Sequence, residues 1–326
     1  MKEALFFTQN KAKWKLYEQE LASVRQPSPD ALADIYIDLT NDLSFAQTHY
    51  RHSHLVTYLN GLSTRFHQQI YRQKTERSTR FATYWTREVP LVLYEARREL
   101  MWSLLIFVAG VAIGIFSSAM NEDFKYSVLS FRYVQSTLDN IKNGDPMAVF
   151  KEHWAYGMFL GIALNNVLVM LRTFVMGIAA SLGSALALVF NGAMLGVFHY
   201  LFYEHGLLGE SLLTVWIHGS LEIPCIVVAG AAGITLGNGL LFPRSYRRID
   251  SLMMAAKRGM KIMVGVAPIV VLAAVFESFL TRYTNIPDAL RLGFILLMLA
   301  FVIFYFVIYP MHVHRMETAL SDAAAT

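Results

Sequence analysis

The rhythm of hydrophobic and polar positions changes near residue 100. Before it, apolar side chains recur at helical spacing against a charged background. Leu5, Phe6, Trp14, Tyr17 and Leu21 predict an amphipathic helix over Lys2–Val24. Pro27-Ser28-Pro29-Asp30 then breaks the chain and starts it again, since Ser28 can cap a helix and Pro29 suits its first turn. Leu32, Ile35, Tyr36, Leu39, Leu43 and Phe45 predict a second helix over Asp30–His49. Tyr58, Leu59, Leu62, Phe66 and Ile70 predict a third over Ser53–Gln73. A fourth, Glu76–Tyr94, should bend near Pro90.

After residue 100 the pattern becomes a series of long apolar runs. Six are long enough to span a bilayer: Met101–Ala119, Gly157–Ala180, Gly183–Phe202, Leu212–Gly237, Ile262–Leu280 and Leu292–Tyr309. The second and third come from one charge-poor block, divided where Gly, Ala and Ser cluster at 177–184. The expected fold class is therefore all-α: a polytopic bundle of six transmembrane helices preceded by an N-terminal helical bundle. The expected domains are residues 1–100, a membrane domain over 101–310 with an extracytoplasmic segment at 120–152, and a tail over 311–326.

Composition agrees. The 326 residues are 55% hydrophobic and 16% charged, where a soluble domain would carry roughly a quarter. The single cysteine, Cys225, lies within an apolar run and excludes an intramolecular disulfide. The first ten residues carry no long apolar core and no small-residue cleavage site, so no removable signal peptide is expected.

The net charge of +4 matters less than its placement. Arg72, Lys74, Arg77, Arg80, Arg87, Arg97 and Arg98 precede the first span, and Arg244, Arg247, Arg248, Lys257, Arg258 and Lys261 follow the fourth. Four spans separate these basic segments, so both fall on one side, which the positive-inside rule makes the cytoplasm. Both termini are then expected inside, in a bacterial inner membrane. Lipid is an expected partner; nucleic acid is not, because no binding module accompanies the charge.

Chemistry concentrates in the polar residues of the apolar runs. Arg172 is the only Lys, Arg, Asp or Glu over 153–203, and Glu222 the only one over 211–243. A carboxylate at mid-span costs a few kcal/mol on insertion scales, so helices around it must supply polar partners. Asn165 and Asn166 on the second span, Asn191 on the third, His218 on the fourth, and Glu277 with Thr281 on the fifth are the candidates. They are expected to form, with Arg172 and Glu222, a polar intramembrane cluster, an Arg172–Glu222 pair being within reach. They serve either as interhelical glue or as the wall of a ligand cavity. Small residues at Cys225, Ala229, Gly233, Gly192 and Gly196 permit close helix approach, within the chain or between copies.

No catalytic residue is assigned. His218 and Glu222 at i and i+4 can offer two ligands to a metal, the alternative being an intramembrane metal-dependent hydrolase. No HExxH is present, and His199 is the only other His near a span, so no metal and no cofactor are expected. Ser220 and Cys225 have no arranged base in the pattern, and no phosphate loop occurs. In the N-terminal region Asn60 and His67 share a helix face, as a partner contact or as ordinary local polar groups.

The residues Phe7 and Trp14, Tyr58-Leu59-Asn60 with His67 and Ile70-Tyr71, Asn165-Asn166, Phe190-Asn191-Gly192 with Gly196, His218-Gly219 with Glu222-Ile223-Pro224, Ala229-Gly230 with Gly233, and Glu277 with Thr281 form a pattern along nearly the whole chain. It resembles the stage II sporulation protein M family of integral membrane proteins. The resemblance implies a non-enzymatic membrane anchor or scaffold linked to the cell envelope, beside cell-wall-degrading proteins, MoxR-type ATPases or von Willebrand factor A-type proteins. It implies no reaction. With the small-residue stripes, a homo-oligomer, most simply a dimer, is expected, acting as a scaffold or a transport- or channel-like component.

Overall fold

The computed structural model describes all residues except 1–2, 23–28, 52, 72–80, 149–154, 282–285 and 326. Among the described residues there are helices and no strands. The chain divides into two compact units, residues 1–80 and 81–326.

The first unit holds α1 (Glu3–Ala22), α2 (Pro29–His49) and α3 (His54–Tyr71). The cap expected at Ser28 and the region predicted at 76–80 lie outside the described residues. Phe6, Trp14, Leu32, Leu39, Leu43, Leu59, Leu62 and Phe66 close a small apolar core, as their helical spacing requires. Trp14, 1% exposed, anchors it, and its indole N–H donates to Asp42 at 2.8 Å. Lys13 bridges Asp42 and Asp38 beside it, at 2.7 Å each.

The second unit opens with a π turn over Tyr84–Glu88 and α4 (Val89–Glu95), in which Pro90 takes the first turn instead of breaking the helix. These residues pack in the membrane unit: Trp85 donates to the Gly265 carbonyl at 3.1 Å and Tyr84 to that of Lys261 at 2.8 Å. Then follow α5 (Arg97–Met120), two short helices α6 (Phe124–Val128) and α7 (Phe131–Lys142), α8 (Ala155–Val175), α9 (Leu182–Glu204), α10 (Leu208–Leu241) and α11 (Arg248–Val275). A π turn, Phe276–Leu280, ends α11; α12 (Asp288–Ile303), a further π turn and α13 (Tyr309–Ala325) complete the chain.

Among the described residues six helical stretches are long and apolar enough to cross a membrane: Arg97–Met120, Phe159–Ile178, Leu182–Glu204, Leu208–Leu241, Arg248–Leu280 and Asp288–Asp322. The protein is a multi-pass membrane protein. Large apolar side chains such as Leu104, Phe116, Leu164, Leu186, Leu296 and Phe304 face outward, which a lipid surround rewards and water would not.

Helix α10 is the central post. It packs against each of the other five spans, and 67% of its apolar window is buried, against 11–44% for the rest. Its small residues explain how. A Cβ on Gly233 would lie 2.1 Å from Ser184 Oγ, and one on Gly177 would lie 2.0 Å from the Gly233 carbonyl oxygen. The Gly192/Gly196 pair is likewise consumed within the chain, against the α5 backbone at Phe107 and Val111. These stripes therefore join helices of one chain, so they do not argue for association between copies.

Candidate functional site

Helix α10 carries His218 and Glu222 one turn apart on a common face. Pro224 follows inside the helix, and its missing N–H removes the bond that the Ser220 carbonyl would otherwise accept. Around this turn lies a cavity of about 610 Å³. Asn165 and Asn166 of α8, Asn191 of α9, His218 and Glu222 of α10, and Glu277 of the π turn all line it. Much of the rest of its wall is apolar, including Met194, Leu195, Phe198, Val215, Ile223 and Ile226.

Within it, three groups converge. One ligand-type atom each from His218, Glu222 and Glu277 can be chosen so that all lie within 4.8 Å of one another. His218 Nε2 stands 3.9 Å from Glu277 Oε1. On the other ring edge, Nδ1 is 3.3 Å from Thr281 Oγ1. The Thr281 hydroxyl donates to the Phe276 carbonyl at 3.2 Å, and that carbonyl also accepts the Thr281 N–H at 2.9 Å. Where the Thr281 oxygen accepts from His218 Nδ1–H, the Nε2 lone pair faces Glu277; where the hydroxyl donates to Nδ1, Nε2–H faces it instead.

Asn166 is 5% exposed. Its side chain is close enough to act on the Glu222 carboxylate, yet its amide nitrogen closes no hydrogen bond of ordinary geometry. Its carbonyl oxygen accepts from Asn165 at 3.4 Å. Asn191 donates back to the Ala187 carbonyl at 2.7 Å, inside its own helix.

Arg172 is not part of this arrangement. It shares a face with Asn165 but lies seven residues, about 10 Å, further along α8, and it is exposed. Among the described residues no ion pair joins it to Glu222, and no Lys or Arg lines the cavity. Nor does His199 enter: it is buried with Nδ1 3.0 Å from Ser211 Oγ. Asn60 and His67 are both exposed in the first unit, with the His67 ring 5.7 Å from that of Tyr36.

Sequence reasoning missed one stretch of the cavity wall. Leu129 and Ser130, between α6 and α7, and Tyr133 on α7 line it too. Burial, and less strongly the charge of Glu277, push the Tyr133 phenol up to about 12, so it stays a neutral O–H. A tyrosine in a polar interhelical stretch carries no signal of its own; only the fold brings it beside Glu277.

A family model described as Stage II sporulation protein M matches residues 103–282, which include every polar residue of the cavity. A second, described as Domain of unknown function (DUF8413), matches residues 4–72. No curated protein and no solved structure matches the chain. With more than half its length covered by that first model, the chain belongs to the stage II sporulation protein M family.

Proposed function

We propose that this protein is a non-enzymatic component of a bacterial inner membrane whose cavity holds the polar end of an amphipathic ligand, a lipid or a lipid-linked envelope intermediate. The observation that carries the reading is the two-toned wall of the cavity. His218, Glu222, Glu277 and the asparagines supply polar groups, and aliphatic and aromatic side chains, most of them from α9 and α10, form much of the rest. Such a wall suits a headgroup joined to a hydrocarbon chain better than a small hydrophilic solute. The volume, about 610 Å³, accommodates a headgroup. In this reading the protein acts as a scaffold or as a transport- or channel-like component.

The proposed orientation places both termini in the cytoplasm, by the basic segments at 244–261 and before residue 99. The cavity then lies toward the outer side, where α6 and α7 sit. The N-terminal unit is available to a cytoplasmic partner such as a MoxR-type ATPase, and the outer side to cell-wall-degrading proteins. The assembly proposed is a homodimer.

Complementation tests the reading. Cells lacking the gene should regain function with the wild-type chain and fail to do so with a Glu222→Gln, Glu277→Gln double variant that inserts normally. Full rescue by that variant would leave the polar groups as interhelical glue and sink the proposal. Native mass spectrometry of the wild-type protein should also show a retained lipid that the double variant lacks.

A further inference from the structure

The cavity contains an electrostatic problem. Two carboxyl groups, Glu222 and Glu277, stand within 4.8 Å of each other and of a His218 ring nitrogen. Among the described residues no Lys or Arg lines the space. Two ionised carboxylates at such separation in an apolar surround are costly, and either a shared proton or a bound cation relieves that cost.

The histidine is set up to help bind that charge. In the tautomer whose Nδ1–H Thr281 accepts, the Nε2 lone pair faces Glu277 Oε1, 3.9 Å off. A cation between these two atoms would be bound by both. A ligating imidazole characteristically donates its other N–H to an oxygen, which fixes tautomer and ring orientation, and Thr281 supplies that oxygen. Asn166 beside them carries a donor that wants an acceptor, as an anionic oxygen bound to the ion would be. It is nine-tenths and more buried, lines the same cavity, and its amide nitrogen closes no ordinary hydrogen bond.

We infer that His218, Glu222 and Glu277 together bind one divalent first-row transition-metal ion, zinc being the best match, inside the membrane cavity. One imidazole and two carboxylates suit zinc, whose ligands at ~2.0–2.2 Å stand roughly 3–4 Å apart. Small rotations of the two glutamate side chains bring the group to that size. The site leaves a coordination position facing the cavity, where an anionic headgroup oxygen can bind. This rests on the reading of the cavity as a ligand site, and it adds the ion that lets two acids face a phosphate or carboxylate.

The test uses full-length protein carrying no polyhistidine tag, purified in detergent, stripped with chelator, equilibrated with Zn²⁺ alone and desalted. Metal per chain is then read by mass spectrometry. Close to one zinc per chain is expected. His218→Ala and Glu277→Gln should lose affinity at least about tenfold, whereas His205→Ala, an exposed histidine away from the cavity, should bind as the wild type does. His218→Cys keeps a zinc ligand and should retain the ion, with a sulfur neighbour near 2.3 Å in X-ray absorption. That gain of sulfur is read from the bound metal itself, so it does not depend on the alanine variant folding.

Wild-type protein that keeps only traces of zinc overturns the inference, as do Gln variants that bind it equally. Lipid retention is measured on the same samples. Protein that holds zinc but no lipid contradicts the proposed function alone; protein that holds lipid but never zinc contradicts the metal site alone.

Discussion

Trp14 illustrates how much one side chain can decide. It is nearly inaccessible and stacks among Phe6, Phe7 and Tyr58, with ring centroids 5.8–6.1 Å away. Trp14→Ala should cost about 3–5 kcal/mol, enough to unfold so small a unit, and limited proteolysis within residues 3–71 of the full-length protein reads it. Tyr58 beside it makes a pH prediction. Burial first, then the charge and hydrogen bond of Glu18, push its phenol up to about 12 from the ordinary 10.0. The folded value is the higher one, so the contribution of Tyr58 is intact below pH 10 and lost as pH rises toward 12. Tyr58→Phe should remove that part of the alkaline loss, followed by Trp14 fluorescence in a chain whose other tryptophans are replaced. At this scale the sequence was most readable where burial alone decides. The unpaired mid-span acid pointed to Glu222 and its helix neighbours, because hydrocarbon makes such a residue expensive. It could not say that Arg172 stays exposed and outside the cavity, since side-chain length alone leaves that pairing open.

Among elements, α5 and α9 show how spans are held without a hydrophobic force between them. Gly110 and Gly114 of α5 lie against Val189 and Ala193 of α9, where a Cβ would come within 2.6 and 2.3 Å of carbonyl oxygens. Backbone atoms cannot yield as side-chain ends do. Gly114→Ala should therefore destabilise the pair by about 1–3 kcal/mol, measured by steric trapping in detergent. Buried hydroxyls reinforce the packing, as where Ser103 donates to the Val227 carbonyl at 2.6 Å. The spans and their order followed from hydropathy because each apolar run answers to bilayer thickness alone. Which faces meet was less readable. A glycine stripe serves equally for a neighbour in the same chain and for a second copy, and only the packed helices decide between them. The part of the wall formed by Leu129, Ser130 and Tyr133 was hidden for a related reason: short polar helices between spans obey no periodicity tied to the membrane.

For the whole molecule, sidedness is the property that the proposed function needs most. Cys225 is fully buried, so the natural chain should resist impermeant thiol reagents and serve as its own background. Asn143→Cys, next to α7, should label from outside intact cells. Arg247→Cys, between α10 and α11, should label only after lysis. The opposite pattern would put the cavity toward the cytoplasm and remove the envelope-facing role. Mass photometry in nanodiscs tests the dimer, with a single-chain mass counting against it.

The π turn over Phe276–Leu280 has one more consequence. A π turn holds one residue beyond the α-helical count. Removing Ser278 would let the helix heal into an ordinary spiral, leaving a span still long enough to cross the bilayer. Thr281 would then follow Glu277 at i+3 in place of i+4, and could no longer brace the imidazole while Glu277 faces it. A deletion of that single residue should insert, fold and resist heat much as before, yet arrive without a working cavity. The chemistry of this protein would thus depend on an irregularity in a helix that its apolar composition gives no reason to contain.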